Sequence, residues 1–77
     1  MEIPLTHLHV GEKAEIKRIE GGLAFQRKTA SLNIRVGKTV RKITNQPFRG
    51  PVIIEIDGRR IGLGRGMASK ILVEVKE

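Results

Sequence analysis

The chain has no cysteine, no tryptophan and no tyrosine, and only two phenylalanines among its 77 residues. Without cysteine, neither a disulfide frame nor a thiolate metal site can hold the fold, which points to a reducing compartment. Without tryptophan or tyrosine there is no aromatic-lined groove of the kind on which proline-rich peptides dock, so that class of recognition is excluded. Long apolar runs are missing as well: the stretches from Val52 to Ile54 and from Ile71 to Val73 are strand-sized, far below the ~20 residues of a spanning helix. The opening MEIPLTHLHVGEK shows no basic leader followed by an apolar run, so no signal peptide is expected. The expectation is a soluble cytoplasmic protein. No triad, carboxylate pair or reactive thiol stands out, and an enzyme is not expected.

Basic charge and aliphatic side chains are what the chain does have. Lys and Arg number 15 against 8 Asp and Glu, for a net charge of +7. Such an excess attracts nucleic acid, the anionic face of a membrane or an acidic protein surface, and charge alone does not choose among them or exclude plain solvation. Residues 1–77 fit a single domain, whose core must be built from Ile, Leu and Val because a chain of this size buries only about 60% of its unfolded surface.

The clearest local signal is GPVIIEIDGRRIGL, from Gly50 to Leu63. Val52, Ile54 and Ile56 alternate with Ile53, Glu55 and Asp57 at the period of a half-buried strand. Asp57-Gly58 suits a two-residue turn with positive φ at both positions, and Arg59, Ile61 and Leu63 return on the partner strand. Upstream, Leu5, Leu8 and Val10 suit one short helical turn that begins near Pro4 and ends at Gly11. Lys13 to Ile19 reads as a strand broken by Glu20-Gly21-Gly22. Leu23 to Leu32 reads as a helix with Phe25, Thr29 and Leu32 on one stripe, closed by Asn33 as a left-handed cap with Ile34 folding back onto the last turn. Lys38 to Asn45 reads as a strand in which the spacing of Val40 and Ile43 requires a bulge or a sharp bend. NQPFRGP is a loop. GRGMASK holds a helical turn around Met67 and Ala68, and Ile71 to Lys76 is the last strand. The count is five strands with one inserted helix, a mainly β protein whose short strands close into a small barrel.

The order Leu5-x-x-Leu8-x-x-Gly11, Ile16 with Gly21-Gly22, Leu32-Asn33-Ile34-x-x-Gly37, Pro47-x-x-Gly50-Pro51, Gly58 and Leu63-x-x-x-x-Ala68-x-x-Ile71 resembles the FeoA family of ferrous iron transport proteins. It covers nearly the whole chain. The resemblance implies an SH3-like barrel with an added helix, and a cytoplasmic accessory protein of the membrane ferrous iron transporter FeoB. It also implies kinship with a module appended to some metal-dependent transcriptional repressors. Asn33 and Val36 stand where the family pattern usually has Gly and Pro, and Gly64 stands where a charged residue is common.

His7 and His9, with Glu2 or Glu12 nearby, have residue types that suit iron, but positions i and i+2 on a helical turn point apart, so no metal site is assigned. Gly62-Leu63-Gly64-Arg65-Gly66 has the look of a phosphate loop without the spacing of either common motif, so no cofactor is expected. The basic residues Arg49, Arg59, Arg60 and Arg65, with Arg27 as an outlier on the helix, are the candidate partner-binding face. The expected function is a non-enzymatic protein-binding module that meets the transporter at its cytoplasmic side, with peripheral membrane association as a further expectation. The alternatives are a basic nucleic-acid-binding barrel, which lacks free aromatic stacking platforms, and a stand-alone version of the repressor module.

Overall fold

The computed structural model describes residues 1–45 and 50–76. In chain order these hold β1 (Ile3–Pro4), a 3-10 turn (Leu5–His7), β2 (Lys13–Ile19), α1 (Leu23–Ser31), β3 (Thr39–Asn45), β4 (Val52–Ile56), β5 (Arg59–Leu63), α2 (Arg65–Ala68) and β6 (Ile71–Val75). The strands form one six-stranded sheet in the order β1-β6-β2-β3-β4-β5, antiparallel at every pairing.

The hairpin has the expected register, with Val52 opposite Leu63, Ile54 opposite Ile61 and Ile56 opposite Arg59. Asp57 and Gly58 carry φ of 52° and 76°, which matches the right-handed twist of the flanking strands. Val52, Ile54 and Ile56 are buried while Ile53 and Glu55 on the other face are only half-buried. The bend expected in the third long strand is a bulge: pairing of β3 with β4 shifts between Lys42 and Thr44. A second shift, between Ile16 and Arg18, interrupts the pairing of β2 with β6. Each adds twist, so the sheet curls around a core of Ile16, Val40, Ile54, Leu63, Ile71 and Val73 together with Leu5, Leu8, Ile34 and Ala68. A fully buried aliphatic such as Ile16 or Ile54 contributes about 1.5–3 kcal/mol through burial.

The helix ends as its residues require. Asn33 takes φ of 62°, its N–H donates to Ala30 O at 2.9 Å and the Ile34 N–H to Thr29 O at 2.9 Å, the bond pair of a Schellman motif. Ile34 then enters the core. At the other end, Gln26 Nε2 donates to Ile19 O at 2.6 Å, tying α1 to the end of β2.

Three features differ from the sequence reading. A sixth strand, β1, pairs Ile3 with Val73 and Pro4 with Leu72; two residues, one of them proline, carry no periodic signal. With it the ladder runs from β1 to β5 without joining its ends, so the curled sheet is open where a closed barrel was expected. The N-terminal helical turn is 3-10 and covers Leu5–His7 only, leaving Val10 exposed beyond it.

Candidate partner interface

The outer face of the sheet carries a row of charge set by strand register. Lys13 on β2 lies opposite Arg41 on β3, Arg41 lies opposite Glu55 on β4, and Glu55 lies opposite Arg60 on β5. Lys13, Arg41 and Arg60 are exposed, and among the described residues none of the three has a carboxylate within ion-pair distance. Three cations and one glutamate in a row, with Arg41 and Arg60 flanking Glu55 and Lys13 beyond Arg41, leave an exposed positive surface. The cleft beside it, about 180 Å³ and lined in part by Lys13, Arg41, Glu55 and Asp57, is smaller than the ~300–1,000 Å³ that encloses a small molecule. It suits contact with a surface better than capture of a ligand.

Lys42 explains why Arg41 faces outward. Alternation along β3 sends Val40 and Lys42 inward, and both are buried. The Lys42 Nζ donates to Thr6 O at 3.1 Å and Leu8 O at 2.7 Å, the carbonyls of the 3-10 segment, while Gly11 N–H donates to Lys42 O at 2.7 Å. A lysine so enclosed needs partners for its ammonium, and these are backbone carbonyls. Desolvation lowers its pKa, and the nearby Arg65 charge lowers it further.

Of the five arginines expected to act together, the four that the structure describes are divided by the fold. Arg59 and Arg60 are neighbours on one strand and so point to opposite faces. Arg59 shares the core face with Ile61 and Leu63, and its Nη2 donates to Leu32 O at 3.4 Å at the end of α1. Arg65 opens α2 beyond the far end of β5, and Arg27 is exposed on α1. Arg49 lies outside the described residues. Of the four described arginines of the set, only Arg60 joins the outer row. Lys13 and Arg41, which complete that row, come from two strands far apart in sequence, and their place in it follows from the pairing of β2 with β3.

At the tip of the hairpin a second polar cluster joins β5 to the helix. Asp57 accepts from Lys38 Nζ at 3.0 Å and from the Asn33 amide. The Lys38 hydrogen bond is the main cause holding the Asp57 carboxyl below its ordinary pKa, against an opposing desolvation contribution, with the Lys38 charge, Asn33 and the Arg59 charge adding to the depression. These charges are spent on one another.

Neither histidine stands in a cluster. His7 is exposed in the 3-10 turn, and His9 sits 3.4 Å from Glu12 in a local turn. Among the described residues, no group of three or more His, Asp or Glu side chains is placed to hold a metal ion. Phe25, on the stripe with Thr29 and Leu32, is half-buried on α1, where the Lys70 ammonium lies 5.2 Å from its ring centroid; Phe48 lies outside the described residues. No helix among the described residues is long and apolar enough to cross a membrane.

The fold recurs in known proteins. The chain is 39% identical over 74 residues to a Fe(2+) transport protein A of Methanocaldococcus jannaschii, covering 96% of this chain and 88% of that one. It is 35% identical over 71 residues to a fusion of Fe(2+) transport protein A with the Fe(2+) transporter FeoB in Porphyromonas gingivalis, covering 92% of this chain and 8% of the fusion. Among solved structures it matches the crystal structure of an iron uptake regulatory protein, FeoA, with a TM-score of 0.91 and 30% identity, covering 99% of this chain and 100% of that one. The SH3-like fold is shared with a manganese-dependent transcriptional repressor, at a TM-score of 0.89 and 24% identity over 97% of this chain and 42% of the repressor. The FeoA domain matches residues 3–75, from the first strand to the last, and the chain belongs to the FeoA domain family.

Proposed function

We propose that the chain is a non-enzymatic accessory module of ferrous iron uptake that docks on the cytoplasmic side of a FeoB-type membrane transporter. The observation that carries this reading is the fusion relative, in which a segment 35% identical to this chain is covalently joined to the Fe(2+) transporter FeoB. A covalent link keeps two parts at high effective concentration, which serves proteins that work in contact. The outer row of Lys13, Arg41 and Arg60 supplies complementary charge for an acidic protein surface, and its unpaired donors favour fast, steered encounter.

The test is recovery from detergent-solubilised membranes and from total nucleic acid, in parallel, at low and high salt. Recovery of a ferrous iron transporter that persists at high salt supports docking. Recovery of nucleic acid alone, lost steeply as salt rises, would replace it with phosphate binding. Charge reversal at Arg60 together with Arg41 weakens recovery on the proposed reading, while reversal at Arg59, which faces α1, weakens it less.

A further inference from the structure

The sheet ends at β5, and that edge is the one long strand whose outer side meets no other strand among the described residues. The turn at Asp57-Gly58 makes Ile56 and Arg59 the hydrogen-bonded pair next to it. Bonding then alternates, so Arg59, Ile61 and Leu63 exchange bonds with β4, while the N–H and C=O groups of Arg60 and Gly62 point away from the sheet. None of these four groups bonds to backbone elsewhere among the described residues. Gly62 keeps the approach clear: the nearest atom to a Cβ built there is Pro51 Cβ, at 3.9 Å.

From the geometry of this edge and its charge we infer that β5 is a docking strand for an extended acidic segment of a partner protein, which adds to the sheet through backbone hydrogen bonds. Arg59 and Arg60 stand at the start of the strand and Arg65 just past its end, and no acidic residue occurs between Asp57 and Glu74. Charge therefore selects an acidic occupant. A second copy of this chain is disfavoured, since antiparallel pairing of β5 with itself would gather both sets of three arginines on two chains that each carry +7, and like charges across a ladder repel. The side-chain pattern follows from alternation. The residue opposite Arg60 lies on the outer face beside the Lys13–Arg41–Glu55 row and is acidic; those opposite Ile61 and Leu63 lie on the core face and are aliphatic. The position opposite Gly62 admits a large side chain.

The inference rests on the docking reading only for the partner's identity, and its test needs no transporter. The probe is a short peptide alternating valine and glutamate, titrated into the full chain with backbone amide shifts as the readout. Binding is expected with the largest shifts at Arg60 and Gly62, and an otherwise identical peptide with lysine in place of glutamate should not bind. Methylating alternate peptide nitrogens separates strand addition from plain charge attraction: one alternate set faces β5 and its methylation abolishes binding, while methylation of the other set leaves binding intact. In the chain, Gly62→Pro removes the outward N–H at a position where an edge strand tolerates proline and abolishes binding, whereas Gly62→Ala retains it. Arg60→Glu weakens binding by about fivefold or more. No peptide binding, equal binding of both methylated peptides, or concentration-dependent self-association through β5 would each overturn the inference. Peptide binding at β5 without recovery of a transporter would sustain it and retire the docking reading instead.

Discussion

At the scale of single residues, Lys42 is the side chain on which most depends. Its ammonium bonds two carbonyls that the 3-10 turn leaves without helical partners, so it fastens the N-terminal segment, with buried Leu5 and Leu8, onto β3. Lys42→Met keeps the apolar stem and removes the donors. Leaving buried carbonyls unsatisfied costs about 1–3 kcal/mol, and for a domain of this size that lowers Tm by roughly 4–8 °C per kcal/mol. Thermal unfolding followed by circular dichroism checks it, and an unchanged Tm would show that the carbonyls find other partners. The pH dependence has a definite sign. Burial holds the Lys42 pKa below its ordinary value, so between its folded value and about 10.4 the unfolded chain binds more protons. Stability contributed at this site therefore rises with pH across that window. The stability gap between the native chain and Lys42→Met should widen from neutral to alkaline pH. The sequence reading of this strand rested on Val40 and Ile43; a buried lysine runs against composition and its carbonyl partners come from the N-terminal segment, so its role was not legible there.

At the scale of elements, the join between α1 and the β4–β5 hairpin rests on two residues with positive φ, Asn33 and Asp57, whose side chains bond each other. Both conformations were legible, because a helix cap and a two-residue turn each demand them locally; that the two meet depends on how the sheet curls. Asp57→Asn keeps a residue suited to the turn and removes the carboxylate that Lys38 pairs with. The Asp57 pKa is depressed in the fold. Its contribution is therefore present above the unfolded value of about 3.9 and is lost as pH falls through the folded one. The native chain should exceed Asp57→Asn in Tm at neutral pH, and the gap should close as acid protonates the carboxylate in the fold; a gap that persists once it is protonated would assign the effect to the turn itself. Gly21 belongs to the same scale. Its φ is +137°, and an added Cβ would come within 2.8 Å of the Phe25 ring. Gly21→Ala should thus displace Phe25 from beneath Lys70 and lower Tm, whereas Gly22→Ala meets no atom within 4 Å and should change it little. The separation of Arg59 from Arg60 was legible too. The hairpin register already placed Arg59 with Ile61 and Leu63, so grouping both arginines on one face conflicted with the strand's own period.

At the scale of the whole molecule, the charge of +7 acts through its distribution. Lys17 pairs with Glu15, Lys38 with Asp57 and Arg18 with Glu2 and Glu20; of the described cations outside these pairs, strand register gathers Lys13, Arg41 and Arg60 into a patch on one side of the sheet. That patch draws one residue from each of three strands, so composition announced the excess and only the strand order located it. Exposed charges of this kind govern encounter more than dwell time, and their reach shrinks to about 8 Å at physiological ionic strength. On the docking reading, the double variant Arg41→Glu with Arg60→Glu should slow association with the transporter markedly at low salt. That difference should narrow as salt rises, and dissociation of the Arg41 single variant should remain close to native. Reversal at Arg27, on a different element, should change association less, through net charge alone. Surface plasmon resonance at several salt concentrations separates the two rates. If reversal at Arg27 slowed association as much as the outer-row variants did, net charge would be the cause and the patch would have no special part. If Arg60→Glu also sped dissociation where Arg41→Glu did not, the backbone-paired edge of β5 would be the point of lasting contact, with the rest of the row serving to guide the partner toward it.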